Sequence, residues 1–409
     1  MSRRLLHLCR HTALHQRASF TLPCGPARGV MLAATRGTTS TASSAAHWVH
    51  TYGVLSKFKL SGFVVSTACA GFVLASRETI AWDGLVWAAA GTWGAAACAN
   101  TLNQVAESKT DGLMQRTRFR PLPAGLMSRT HALLFAAATG CSGLAALAVH
   151  SSVLSAALGG ATIVLYAGIY TPLKRLSVAN TWVGALVGAL PPAIGWAAAT
   201  GGTLSAGAAV LPVLLYCWQL PHFMALAYMH RADYAAGGYR MLPLVDPSGR
   251  RTAAVALRNA LALVPVGFAA GALGVVTPPF AWEALVLSGA LAAGAALFWV
   301  QPTQSTARRL FLLSLVHLPV LQAASVLHRI PNTDVARNEK DADMLSWFAR
   351  QRADLAVLFS EKQQHGLFAV PFPFLPLPPW LPVVCQAQAQ DHCSGAQGQE
   401  HYSRDESSS

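Results

Sequence analysis

Long apolar stretches that follow one another from about residue 60 constrain this chain more than any other feature. A helix needs roughly 20 residues to cross the hydrocarbon core of a bilayer, and about nine stretches approach that length. They lie near 60–76, 84–103, 131–149, 152–170, 180–199, 206–228, 253–276, 281–300 and 309–328. Charged residues make up only 11% of the chain, well below the share in soluble proteins. The sequence therefore predicts an all-α, polytopic membrane protein with about nine transmembrane helices around a central cavity.

The first 45 residues have a different character. They contain many serines and threonines and no acidic residue, since the first acid of the chain is Glu78. The arginines of this segment are Arg3, Arg4, Arg10, Arg17, Arg28 and Arg36. This composition predicts a mitochondrial transit peptide over residues 1–45. A disordered basic tail on a bacterial protein is the alternative.

Basic residues alternate from loop to loop. They precede the first predicted helix, at Lys57 and Lys59, and fill the loops between predicted helices 2 and 3, 4 and 5, 6 and 7, and 8 and 9. The positive-inside rule places these loops on the matrix side of a mitochondrial inner membrane. The candidate catalytic loops all fall on that side, so we expect an active site that faces the matrix.

Three oxygen-bearing side chains follow each other at the end of the second apolar stretch. Asn103, Glu107 and Asp111 are spaced four apart, which puts them on one face of a helix. Arg116 and Arg120 repeat the spacing just beyond. Such oxygen ligands suit a divalent cation of the magnesium type, and the cation together with the arginines suits a diphosphate. Solvated charges beside a membrane helix are the alternative.

Two further segments carry candidate site residues. Residues 216–223 read Tyr-Cys-Trp-Gln-Leu-Pro-His-Phe, and Asp233 and Arg240 follow them. A single histidine such as His222 is more often a hydrogen-bonded core residue than a ligand. Residues 170–175 read Tyr-Thr-Pro-Leu-Lys-Arg, which by itself indicates only a short positive loop.

The three segments together resemble the signatures of the UbiA superfamily of intramembrane prenyltransferases, over roughly residues 53 to 330. The first signature of that superfamily is Asn-x-x-x-Asp-x-x-x-Asp followed by Arg-Thr-x-x-Arg-Pro. The Asn-Gln-x-x-Glu opening of residues 103–107 and the Trp-x-x-Pro-His-Phe of residues 218–223 are similar to the branch that farnesylates heme. The usual aspartate-rich second motif is reduced to Asp233, which leaves the number of metals open.

The resemblance implies a magnesium-dependent transfer of the farnesyl group from farnesyl diphosphate to a vinyl group of heme b. The product would be heme O, for heme A and cytochrome oxidase assembly. The implied metal ligands and catalytic groups are Asn103, Glu107, Asp111 and Asp233, with His222 facing the heme iron or steering water. The implied diphosphate ligands are Arg116, Arg120, Lys174, Arg175 and Arg240.

Other functions fit the sequence less well. A prenyltransferase that acts on an aromatic quinone precursor shares the diphosphate site but not the heme-branch motifs. A transporter would place its site near the middle of the bilayer, whereas the ionisable residues here collect at one face. The net charge of +13 is spread over the leader and short loops, which argues against nucleic-acid binding. The expected partners are the lipid bilayer and the two substrates, with heme A synthase or other cytochrome oxidase assembly factors as candidates.

The C-terminal tail, residues 331–409, lies outside the resemblance and is predicted to be partly disordered. Residues 334–366 are charged with interspersed apolar residues, which favours a helix. Residues 367–385 contain six prolines, too many for an ordinary spanning helix. Cys385 and Cys393 could pair, but one spacing leaves the question open.

Overall fold

The structure, a computed structural model, describes residues 41–333, with the side chains described from residue 47 onward. The predicted transit peptide up to residue 40 and the tail beyond residue 333 lie outside the described residues. The α-helices in chain order are α1 Thr41–Leu55, α2 Phe58–Ala75, α3 Trp82–Asp111, α4 Arg129–His150, α5 Val153–Ile163, α6 Thr171–Leu176, α7 Asn180–Ala199, α8 Val210–Met229, α9 Arg231–Ala236, α10 Leu242–Val245, α11 Arg250–Ala272, α12 Pro279–Val300 and α13 Gln304–Leu327. A 3₁₀ turn, Ala206–Ala209, leads into α8.

Eight helical segments of the described residues are long and apolar enough to cross a membrane, by length and composition. They correspond to eight of the nine predicted spans, and the chain is an all-α polytopic membrane protein. The remaining predicted span, residues 84–103, belongs to α3. This helix continues for about two more turns, to Asp111, and its second half carries Asn100, Asn103 and Glu107. Those polar residues make α3 less apolar than the other eight segments.

The outer surface of the bundle is apolar while its helix contacts are made by small residues. Val86, Leu134 and Val286 are 64%, 66% and 71% exposed, as expected of side chains that face lipid tails. Gly94 on α3 lies against Gly143 on α4, where an added Cβ would come within 2.8 Å of the Gly143 Cα. Lipid tails are as apolar as the helices, so close backbone contact between small residues is what holds such helices together.

A π-helical segment, Val164–Tyr170, joins α5 to α6 in one continuous span. Pro172 lies two residues beyond its end and has no N–H to donate to the preceding turn. The backbone therefore widens locally, as π-helical turns do near functional sites. This segment carries Tyr166 and Tyr170, and both line the central cavity.

The loop between α10 and α11 is held by a buried carboxylate. The side chain of Asp246 accepts hydrogen bonds from the backbone N–H of Thr252, at 2.8 Å, and from the hydroxyls of Thr252 and Ser248. Burial alone would raise the pKa of Asp246, but these donors outweigh it and lower the pKa. The carboxylate thus satisfies the first turn of α11, an arrangement typical of helix caps.

Close packing of α2 against α7 gives the first prediction. A Cβ added to Gly71 would overlap the carbonyl group of Pro192. We therefore expect Gly71→Ala to lower the free energy of unfolding by about 1–3 kcal/mol. Gly62→Ala, on the same helix, meets open space, so it should leave stability unchanged or raise it by up to about 1 kcal/mol. Thermal unfolding in detergent measures both, and equal effects of the two variants would contradict this packing.

Candidate active site

The polar end of α3 is buried. Asn103 and Asp111 are 0% exposed and Glu107 is 6% exposed. All three residues lie on one face of the helix, on successive turns, because they are spaced four apart. Carboxylates that are withdrawn from water in this way need charged partners.

Both carboxylates are paired with cations from other segments. The Lys174 ammonium donates to Glu107 Oε1 at 2.7 Å, which joins α6 to α3. One nitrogen of Arg120, Nη1, donates to Asp111 Oδ1 at 2.9 Å and to Oδ2 at 2.8 Å. The hydroxyl of Thr117 donates to the Asp111 carbonyl at 3.0 Å and steadies the same turn. Residues that the sequence assigned to different motifs thus contact each other in the fold.

Asn103 lies in a separate hydrogen-bonded chain. Its Oδ1 accepts from the Lys57 ammonium at 2.9 Å, and its Nδ2 donates to the Thr171 hydroxyl at 2.9 Å. Lys57 also donates to the hydroxyl of Tyr166 at 3.2 Å. The Thr171 hydroxyl donates to the Tyr166 carbonyl at 2.8 Å and closes the chain. This network connects the start of α2 and the π-helical segment to α3.

Lys57, Tyr166 and Thr171 are site residues that sequence reasoning missed. In the sequence analysis Lys57 served only as one of the basic loop residues that indicate which side of the membrane a loop faces. Tyr166 and Thr171 were given no role there. The left-handed backbone of Lys57 (φ 50°) turns the chain between α1 and α2 toward the site. Its distance of 46 residues from Asn103 means that no local pattern could have paired them.

The site carries an excess of positive charge. Glu107 and Asp111 face Lys57, Lys174 and Arg120, so two formal negative charges are set against three positive ones. Burial first, then the neighbouring Arg120 and Lys174, lower the pKa of Lys57 to about 7. Crowded cations in a buried site are relieved by an anion, and a diphosphate is an anion of suitable charge.

The loop that follows α8 covers the end of α3. Tyr234 and Tyr239 are buried in one cluster with Met114, just beyond Asp111. The Lys174 ammonium lies 4.6 Å from the ring centre of Tyr170 and 5.7 Å from that of Tyr239. These aromatic faces favour a cation and keep water away from the Lys174–Glu107 pair.

The other predicted ligands lie farther out. Arg116 and Arg175 are exposed. Arg240 is also exposed, and its guanidinium donates to the Leu176 carbonyl at 3.1 Å. The backbone N–H of Arg240 donates to the Lys174 carbonyl at 2.7 Å, so this arginine fixes the Lys174 loop through its main chain. Asp233, on α9, is half-buried, and its side chain has no hydrogen bond or ion pair to the residues that the structure describes.

His222 lines the cavity beside the polar site and is held from two sides. Its ring stacks on Trp218 with centroids 4.9 Å apart, and its Nδ1 lies 2.9 Å from the hydroxyl of Ser314. That hydroxyl donates to the Phe311 carbonyl at 2.6 Å. It can then only accept from His222, which assigns the proton to Nδ1 and leaves Nε2 with a free lone pair. The histidine is therefore both packed and chemically available.

A cavity of about 410 Å³ lies among α2, α3, α7, α8 and α13 and is the predicted central cavity. Its walls are mostly apolar, and its polar lining residues include Asn100, Tyr166, Gln219 and His222. The size is that of a pocket for a small organic ligand. An apolar chain fits such walls.

The donor set at the end of α3 fits a magnesium-type cation. Glu107 and Asp111 supply carboxylate oxygens and Asn103 an amide oxygen, the hard ligands that such cations prefer. Among the described residues no three His, Cys, Asp or Glu side chains group closely enough to hold a metal ion. A cation here would therefore find no complete set of protein ligands in this arrangement and would complete its shell with substrate oxygens, as Mg²⁺ commonly does.

Comparison with known proteins identifies the class. The sequence profile described as the UbiA prenyltransferase family matches residues 64–316. The chain belongs to the UbiA prenyltransferase family, which confirms the resemblance seen in the three motifs. In fold, it is similar to a digeranylgeranylglyceryl phosphate synthase (TM-score 0.59, 14% identity, 68% of this chain and 98% of the other). It is also similar to a UbiA homolog from Aeropyrum pernix K1 (TM-score 0.54, 20% identity, 66% and 97%).

Curated relatives share much more sequence with this chain. The mitochondrial protoheme IX farnesyltransferase of Arabidopsis thaliana is 45% identical over 337 residues, which cover 81% of this chain and 78% of the relative. The human mitochondrial protoheme IX farnesyltransferase is 45% identical over 267 residues, 65% of this chain and 59% of the relative. The matched region thus spans about three fifths of the human protein's length.

The pairing at Asp111 gives the second prediction. Arg120→Ala would leave the buried carboxylate without its cation, so we expect the free energy of unfolding to fall by about 3–5 kcal/mol. Adding Asp111→Asn should recover most of that loss because the charge is then gone. Arg116→Ala, at an exposed position, should change stability by no more than about 0.5 kcal/mol. Thermal unfolding in detergent measures the stability of all three variants. A double variant that is as unstable as Arg120→Ala alone would contradict the pairing.

Proposed function

We propose that this protein transfers the farnesyl group of farnesyl diphosphate to a vinyl group of protoheme IX. The paired carboxylates and cations at the end of α3, beside an apolar cavity, are the observation that carries the transferase part. The acceptor follows from the names of the relatives and from the heme-branch motifs around Gln104 and His222. An aromatic quinone precursor is disfavoured by the same motifs.

The diphosphate binds where the cations converge. Lys57, Lys174 and Arg120 surround the carboxylate face of α3, and Arg116 stands at the exposed edge. When bound, Mg²⁺ would lie on Asn103, Glu107 and Asp111, with Asp233 as a further candidate ligand, and would neutralise charge on the phosphate oxygens. Lys174 and Arg120 are then free to turn from the carboxylates to the phosphates. Arg175 and Arg240 belong to the same loops and would add positive field rather than direct contacts.

The chemistry begins with loss of the diphosphate. The allylic C–O bond breaks, and its electron pair leaves with the diphosphate, which the surrounding cations stabilise. The π electrons of the heme vinyl group then form the new C–C bond to the farnesyl carbon. Water adds to the resulting cation next to the ring and loses a proton, which gives the hydroxyethylfarnesyl group of heme O.

The apolar cavity protects this reaction. Its walls hold the farnesyl chain and exclude bulk water, which would otherwise capture the allylic cation. His222 lines the same cavity with a free Nε2 lone pair. It is placed to accept the proton from the single water that the product requires.

The location that we propose is the mitochondrial inner membrane, with the site on the matrix side. Two observations support this: the relatives are named mitochondrial, and the basic loops gather on the face that carries the site. Magnesium is the proposed physiological cation because the donors are oxygen atoms and the substrate is a diphosphate.

The third prediction tests this function directly. Membranes that contain the recombinant protein should transfer label from farnesyl diphosphate into heme when magnesium is present. A chelator should abolish the transfer, and Asp111→Ala should lower it at least about 100-fold. Lys109→Ala, which changes an exposed residue near the end of the same helix, serves as the control and should retain activity. Label that appears in an aromatic acceptor but not in heme would overturn the proposed acceptor.

The fourth prediction separates contact from packing at His222. His222→Ala should lower heme farnesylation by about 10²-fold or more if the imidazole handles the proton. Ser314→Ala keeps the imidazole and removes only its hydrogen bond, so it should cost less than tenfold. Both variants must first show the thermal unfolding temperature of the parent within a few degrees. Equal losses of kcat in the two variants would make His222 a packing residue.

A further inference from the structure

A second concave surface adjoins the polar site on its outer side. It is a groove of about 800 Å³ between α1, the start of α2 and the loop that follows α3. The residues that line it are Val49, His50, Gly53, Val54, Lys57, Phe58, Lys59, Leu60, Arg116, Thr117, Phe119 and Arg120. We refer to it as the α1 groove.

The α1 groove is strongly cationic. Its lining includes four lysine or arginine side chains and His50, and no aspartate or glutamate of the described part of the chain lines it. Lys59, His50 and Arg116 are exposed and unused by the hydrogen-bonded pairs of the polar site. A ligand with more than one negative charge therefore finds several partners here.

The same groove exposes large apolar side chains. Val49 is 73% exposed, Phe119 71%, Phe58 60% and Leu60 49%. Exposed apolar groups that are gathered in one concavity and rimmed by charge mark a binding surface. The ligand that fits both features is amphiphilic, with a broad apolar body and acidic groups.

Three residues connect the groove to the proposed chemistry. Lys57 and Arg120 form part of its wall and also bond Asn103 and Asp111 in the polar site. Leu60 lines both the groove and the central cavity. A molecule in the groove would thus lie next to the place where the allylic carbon is released.

We propose that the α1 groove binds the acceptor, a flat porphyrin whose two propionates pair with Lys59, His50 and Arg116. The inference rests on the proposed function and adds the location of its second substrate. The macrocycle packs on Phe119, Phe58 and Leu60, and its vinyl edge is directed past Leu60 toward the polar site. Donor and acceptor then occupy separate compartments, the central cavity and the α1 groove, that meet at Leu60.

An anionic phospholipid headgroup shares part of this chemistry. The porphyrin is favoured for two reasons. The surface is a groove rather than a flat basic face, and two of its cations are shared with the polar site. Binding of a headgroup does not require contact with the residues that hold Asn103 and Asp111, whereas binding of the acceptor does.

The fifth prediction uses zinc protoporphyrin IX as a fluorescent probe, with the full chain in nanodiscs of phosphatidylcholine. Lys59→Glu should weaken binding about tenfold, because it removes one charge-assisted hydrogen bond. Lys109→Glu makes the same change of charge outside the groove and should change the affinity for the probe by no more than about twofold. The dimethyl ester of the probe lacks the propionate charges, so its weaker binding should not respond to Lys59→Glu. Phe119→Ser, at an exposed position, should weaken binding of both probes by severalfold.

Kinetics add a second readout. In Lys59→Glu the KM for heme should rise about tenfold, while the KM for farnesyl diphosphate stays equal to that of Lys109→Glu. Equal probe affinities of Lys59→Glu and Lys109→Glu would overturn the inference. It would also be overturned if Lys59→Glu bound less cardiolipin in mixed-lipid nanodiscs while its affinity for the porphyrin stayed unchanged. If the wild-type protein farnesylates heme and the variants give either of these results, only the proposed role of the α1 groove is refuted. A wild-type protein that binds the porphyrin but never farnesylates it would refute the function alone.

Discussion

Burial of two carboxylates at the end of one long helix is the constraint on which the rest of the structure depends. Glu107 and Asp111 are charged and withdrawn from water, so each requires a cation at close range. Lys174 and Arg120 supply those cations from two segments that are otherwise distant in sequence. The requirement therefore fixes how the loop after α3 and the π-helical span approach each other.

The membrane part of the fold provides a rigid frame for this arrangement. Glycine and alanine at the contacts between α2 and α7, and between α3 and α4, let the backbones approach closely and leave little freedom for sliding. Asn180, at the start of α7, adds a polar clamp, since its amide donates to the Arg240 carbonyl at 2.7 Å. The Lys174 loop is thus held between α3 and the loop after α8, and the ammonium of Lys174 is directed inward.

Local sequence patterns predicted much of this molecule. The i, i+4 spacing of Asn103, Glu107 and Asp111 is a property of one helix, and apolar length alone located eight spanning segments. Contacts between segments that are distant in the chain could not be predicted from these local patterns. Lys57 meets Asn103 only because the chain turns through a left-handed residue, and Tyr166 is directed by a π-helical segment that no periodicity reveals. The α1 groove was missed for the same reason, because its residues are gathered from two separate stretches of chain.

The direct contact of cations with the carboxylates has a thermodynamic consequence under the proposed function. A metal ion that arrives alone must compete with Lys174 and Arg120 for the oxygens of Glu107 and Asp111. A diphosphate gives those two cations a new partner and so releases the oxygens for the metal. The two ligands should then bind with positive coupling, and by linkage each must raise the affinity of the other by the same factor. A resting site whose carboxylates already have cationic partners has little tendency to hold stray metal before its substrate arrives.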